Sequence, residues 1–236
     1  MPTNTDNINA IAQAVKDRNT QQRSRTTYAS ILTDAQDFIV EQLECLIKIN
    51  SSGVVLVGGT QEYDLPVDFI KFPIESADEK AGQVSLGTNG KFPLRPTTTD
   101  LLDLHEANWR AATAGIPIYF YLLEEDRGKI GFHPKPSSAF VTDNGSTCRM
   151  KYVYRADDIS DNSNQPFNNS NRLRGLQFLL KLHAIWQINI EDKEYAAADK
   201  LMMQITARLE LAREVVGGIL SIPGQKGFDP DFRTGG

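Results

Sequence analysis

The sequence predicts an α+β protein: a helical bundle built from N- and C-terminal helices, with an inserted β-rich domain and an extended C-terminal arm. Three observations predict it. Apolar residues recur at helical spacing near both ends of the chain. Short β-branched and aromatic runs, separated by Gly, Pro, Asn and Asp, fill the middle. The last twenty residues scatter large apolars with no period at all. The expected boundaries are 1–50 for the N-terminal helices and 51–171 for the inserted β-rich domain with one short helix. The C-terminal helical hairpin is expected at 172–216 and the arm at 217–236.

A short helix is expected near 8–16. A longer one is expected from a Thr26 or Thr27 cap to about Ile49, because Leu32, Ala35, Ile39, Leu43 and Leu46 share one face. Ile31, Phe38 and Cys45 widen that face, and Ser51-Ser52-Gly53 is the expected stop. Strands are expected at 54–57, 118–123, 129–132 and 148–154. In the last of these Met150, Tyr152 and Tyr154 alternate with Arg149, Lys151 and Val153, the period of two that a half-buried strand needs. One helix interrupts the strands: Thr97-Thr98-Thr99-Asp100 caps 101–109. Residues 157–171, with five Asn and three Asp, read as a polar linker. The hairpin follows. Its first helix carries two stripes, Leu179, Leu182, Trp186 and Ile190 on one and Leu176, Leu180, Ala184 and Ile188 on the other. Its second repeats helical spacing through Ala198, Leu201, Ile205, Leu209, Ala212 and Val216, and Gly217-Gly218 is expected to end it.

Composition narrows the function classes. The chain has 236 residues, 25 Lys+Arg against 30 Asp+Glu, a net charge of -5 and a pI near 5.3. That excludes a strongly basic electrostatic DNA binder. No run of 18 apolar residues is present to span a bilayer, and no signal peptide is visible in the first residues. Two cysteines, Cys45 and Cys148, are too few for a disulfide framework. Residues 51–171 hold 11 basic and 16 acidic residues, so the acidity is expected in the β-rich middle.

The search for chemistry is negative. His183 falls on the bundle helix beside Leu179 and Trp186, as a core or boundary histidine would. His105 reads as solvated, and His133 as an exposed residue at a strand end. No two histidines show metal-ligand spacing. There is no G-x-S-x-G elbow, and Gly58-Gly59-Thr60 lacks the spacing and lysine of a phosphate loop. Acidic groups such as Glu124, Glu125 and Asp126 could suggest metal or hydrolase carboxylates, but before Gly128 they read first as a solvated hairpin tip. The expectation is a protein that is not an enzyme, with no cofactor and no metal.

The arm is the anomaly. Leu220, Ile222, Phe228 and Phe232 stand among glycines and prolines that cannot form a stable element alone. One reading is a frayed tail, as termini usually are; the other is an extended arm that docks these apolar residues into pockets on another subunit or partner.

The order of motifs in the middle then becomes informative. Tyr63-Asp64-Leu65-Pro66-Val67-Asp68-Phe69 precedes the capped helix, and Gly115-Ile116-Pro117-Ile118-Tyr119 follows it. Lys129 to Pro136 (KIGFHPKP) and Lys151 to Asp158 (KYVYRADD) come next, and then the helical hairpin. This order, over about residues 27–216, resembles the head-to-tail adaptor proteins of tailed bacteriophages, the group that includes the tail tubular protein A of short-tailed phages. The resemblance implies a virion structural protein of the neck, made in the host cytoplasm. It implies a homo-oligomeric ring of about twelve copies, closed by a heterologous interface. Its partners would be the portal protein and the next tail component, a nozzle or tail tube. DNA would cross the channel without specific binding, and no membrane is involved. Portal contact is expected from the arm residues Leu220, Ile222, Pro223, Phe228, Phe232 and Arg233. A tail-completion or neck protein that binds the tail tube is the alternative.

Overall fold

The computed structural model describes residues 4–15, 23–73, 83–106, 108–123, 128–159 and 166–220. The chain divides into two compact units. One combines residues 1–46 with 156–236; the other is the segment 47–155.

The first unit is helical: α1 (Asn4–Ala14), α2 (Arg25–Leu43), α5 (Gln177–Glu191) and α6 (Tyr195–Leu220). Here α5 touches α1, α2 and α6, which is why most of both stripes from Leu176 to Ile188 is buried, Trp186 being half-buried. Ile190, at the end near the turn, is exposed, as is Phe178, which belongs to neither stripe. On α2 the buried face runs through Tyr28, Leu32, Ala35, Ile39 and Leu43.

Several expectations change here. Ser24, rather than Thr26 or Thr27, caps α2, its hydroxyl accepting from the Thr27 N–H at 3.1 Å. The helix stops at Leu43 instead of Ile49, because Glu44 adopts a left-handed backbone (φ 50°) and Ile47 to Asn50 find a strand to pair with. The described parts of the expected polar linker are packed. Ala156, Ile159, Phe167 and Leu173 are buried, and two side chains of α2 hold its backbone. Thr33 Oγ1 accepts from the Ile159 N–H at 2.9 Å, and Gln36 Oε1 accepts from the Phe167 N–H at 2.6 Å while its Nε2 donates to the Asp157 carbonyl at 3.1 Å. Finally, Gly217-Gly218 does not end α6. Glycine weakens a helical backbone without forbidding it, and the helix continues to Leu220.

The second unit holds β1 (Ile47–Val55), β2 (Glu62–Asp64), β3 (Phe69–Lys71), β4 (Val84–Leu86), β5 (Phe92–Pro93), β6 (Arg95–Pro96), β7 (Tyr119–Leu122), β8 (Lys129–His133) and β9 (Thr147–Tyr154). Two short helices lie among them, α3 (Thr99–His105) and α4 (Ser138–Asn144). The strands form two sheets. One has the order β1-β9-β4-β5, with β3 also on β9; the other is β2-β8-β7-β6, in which only β6–β7 is parallel. A single core joins them: Val54, Leu86, Phe120, Ile130, Phe132, Phe140, Cys148, Met150 and Tyr152 pack together. Cys148, Met150 and Tyr152 are the alternate residues of the central strand β9, and they face that core.

Here too the structure differs from expectation in places. Ser51-Ser52-Gly53 forms the bulge of β1, between the paired positions Asn50 and Val54. The expected single helix ends at His105, and Trp109 begins a separate 3-10 turn. The helix α4 was not expected; Ser137 caps it by accepting from the Phe140 N–H at 3.0 Å, which turns Phe140 into the core. The division also moves the charge. Residues 47–155 hold 12 basic and 13 acidic residues and the helical unit 13 and 17, so most of the acidity belongs to the helical unit. The shift follows from Lys48 lying in the β unit and Asp157, Asp158 and Asp161 in the helical one.

Candidate assembly surfaces

The reactive side chains come first. His183 is 5% exposed, its ring stacked on Phe38 (centroids 4.3 Å apart) and tilted against Trp186 (5.0 Å). Burial lowers its pKa from 6.5 to about 4, against a smaller opposing pull from Asp34, so it is a neutral core residue. The Cys45 and Cys148 thiols are pushed up to about 12 by burial, which leaves neither a thiolate nucleophile near neutrality. His105 is exposed at the end of α3.

His133 departs from the expected surface position. It is 4% exposed, and its Nε2 lies 2.8 Å from Glu106 Oε2. Around it the segment after α3 is fastened to β7 and β8. Trp109 Nε1 donates to Asp103 Oδ1 at 2.7 Å, and Arg110 donates to the same oxygen at 2.6 Å with its guanidinium 4.3 Å above the Trp109 ring. Arg110 first, then Trp109, holds the Asp103 carboxyl below the usual range. The Trp109 ring meets Tyr121 and His133 edge-on, at 5.2 and 5.7 Å. Gly131 makes room for this: a Cβ there would stand 2.1 Å from the Tyr121 ring. Chain spacing hid the arrangement, since Glu106 and His133 are 27 residues apart.

A second polar group braces β1. Lys48 pairs with Asp68, whose other oxygen accepts from the Tyr152 hydroxyl at 3.0 Å. Asn50 Nδ2 donates to that hydroxyl at 3.2 Å, and Asn50 Oδ1 accepts from the backbone N–H of Ser52 and Gly53. Both groups act as clasps, although the second ring nitrogen of His133, Nδ1, is buried with no hydrogen-bond partner among the described residues. Among the described residues, no set of three or more His, Cys, Asp or Glu is placed to hold a metal ion. Nor is any described helix long and apolar enough to cross a membrane. Glu124, Glu125 and Asp126 lie outside the described residues.

What the surface offers is exposed apolar area. On the β unit, the loops at 56–60, 115–118 and 134–138 meet at one end: the Gly59 N–H donates to the Pro136 carbonyl at 2.7 Å, and Gly115 bridges Pro136. Gly58 permits the approach, since a Cβ would lie 2.6 Å from Ser138 Cα. Val57 and Ile116 stand exposed on these loops. On the helical unit, Phe178, Met203 and Leu211 are exposed, with Arg208 stacked 4.3 Å over Phe178. Exposed apolar side chains on a surface are candidate contact points for a partner where several of them share one face. Of the arm residues expected to contact a partner, Leu220 is the last residue of α6; Ile222, Pro223, Phe228, Phe232 and Arg233 lie outside the described residues.

Compared with known families, residues 5–217 match the family described as SU10 adaptor protein. The match spans both units and ends at residue 217, where the expected arm begins. No curated protein matches the chain.

Proposed function

The chain belongs to the SU10 adaptor protein family, a structural component of the phage neck between head and tail, and from that premise we propose that it assembles as a ring on the portal vertex and passes the genome through its channel. The observation that carries the reading is the match itself, continuous across the helical and β-rich units. A ring of about twelve copies would close through a heterologous interface, each subunit offering different surfaces to its two neighbours. The arm would reach the portal: Ile222, Phe228 and Phe232 are large anchors on a chain rich in glycine and proline, suited to binding in extended form. The next tail component would meet the face left free. A net charge of -5 suits a channel that must not retain DNA, because phosphate-binding basic surface would slow its passage.

The experiment is reconstitution. Purified protein mixed with portal assemblies is imaged by negative stain and weighed by mass photometry. Rings capping the portal are expected with the full chain, and binding is expected to be lost when residues 221–236 are deleted. A full chain that leaves portals bare refutes the ring, and a truncated chain that binds as well as the full one refutes the arm.

A further inference from the structure

Helix α6 buries Ala198, Ile205, Leu209 and Val216 on one side. At 3.6 residues per turn, the side directly opposite carries Ala196, Lys200, Met203, Ala207, Leu211 and Glu214, which fall within about 80° of one another. All six are exposed, Met203 at 75% and Leu211 at 62%. This second stripe is unusual in its order. A small residue, Ala207, stands at the centre with one large apolar residue four positions to either side and one charge seven positions to either side, positive before and negative after.

Such an order inverts onto itself about Ala207. When a second copy of α6 is laid antiparallel against the first, with Ala207 on Ala207, Met203 meets Leu211 of the partner subunit. Lys200 meets Glu214 of the partner subunit, and each pairing occurs twice. Laid parallel, the same helices would set Lys200 on Lys200 and Glu214 on Glu214. Neither charge forms an ion pair among the described residues, so both are available. The central alanine lets the two backbones approach closely, as helix packing requires.

We propose that the free protein pairs with a second copy of itself through this face, two α6 helices running antiparallel and centred on Ala207. The contact is isologous and closes on itself, unlike the heterologous contact of a ring. It therefore belongs to the subunit before assembly and does not rest on the ring reading. Lys200 to Glu214 spans about 21 Å at 1.5 Å per residue, which is a small interface. A small interface predicts a weak dimer, formed in the micromolar range.

Sedimentation velocity of the full chain without portal tests this, from low to high micromolar concentration, with circular dichroism confirming that each variant folds. A monomer–dimer equilibrium is expected, weakened about tenfold or more by Leu211→Glu and by Lys200→Glu. The double variant Lys200→Glu/Glu214→Lys should recover most of the loss, because it restores opposite charges across the antiparallel pair. Orientation is read by mild oxidation: a mixture of Met203→Cys and Leu211→Cys variants should form a mixed disulfide-linked dimer far above either variant alone. The proposal is overturned by a monomer at every concentration, or by a dimer indifferent to Leu211→Glu. It is also overturned if the double reversal behaves no better than the single one. A chain that is monomeric alone but loses portal binding on Leu211→Glu assigns the face to the portal and overturns the pairing as well.

Discussion

His183 shows how burial sets the behaviour of a single residue. Enclosed by Phe38 and Trp186, its imidazole stays neutral in the folded protein until the pH falls to about 4, while the unfolded chain takes up a proton near 6.5. Between those values the unfolded state holds more protons, so stability rises with pH across the window. The contribution is fully present above pH 6.5 and is lost as pH falls towards 4, in total about 3 kcal/mol. Urea titrations at several pH values should show this loss in the native protein and a shallower one in His183→Phe. Parallel stability curves for the two proteins would mean that the imidazole is not the group responsible. The position of His183 in the core was legible, because its neighbours on the helix carry the apolar stripes. That of His133 was not, because what buries it is Trp109 and Glu106, brought from a distant part of the chain.

At the scale of elements, the boundary between α2 and β1 is the most instructive. Leu43 and Leu46 continue the helical spacing of α2, and a pattern of apolar residues alone extends the helix through Ile49. The strand wins because Ile47 to Asn50 gain a hydrogen-bonded ladder with Met150 to Val153, a long-range gain that local periodicity does not register. The bulge that follows is organised by one side chain. Asn50 Oδ1 takes the N–H groups of Ser52 at 2.9 Å and Gly53 at 3.0 Å, so Asn50→Ala should cost about 1 kcal/mol, the bonds being close to solvent. Hydrogen exchange should quicken at the Ser52 and Gly53 amides first; unchanged protection there would show that the backbone holds the bulge unaided. The helix α4 leaves no mark in the sequence for a different reason: seven residues make barely two turns, too few for a period to emerge.

For the whole molecule, the chain leaves the helical unit at Leu46 and returns at Ala156. The two ends of the inserted unit are neighbours, since Ile47 pairs with Val153 on adjacent antiparallel strands. With its ends together and its own core of two sheets, the segment 47–155 is built to fold by itself. Expressed alone, it should give a dispersed amide spectrum and a single cooperative unfolding transition. A collapsed spectrum would show that it depends on the helical unit for its fold. The same division reassigns the charge, because the two boundaries, shifted from 51 to 47 and from 171 to 155, carry Lys48 one way and three aspartates the other.

The sequence by itself determined the α+β class, the faces of the helices at both ends, the central strand β9 and the kinship with phage adaptors. These rest on local periods and on the order of motifs along the chain, which survive without knowledge of the fold. Only the tertiary structure decided where α2 yields to β1, that Asp157, Ile159 and Phe167 are held by side chains of α2, and that His133 is buried. Each of these depends on partners far apart in sequence, Met150 for Asn50, Gln36 for Phe167 and Glu106 for His133. The free energy of such contacts enters only when the chain has brought them together.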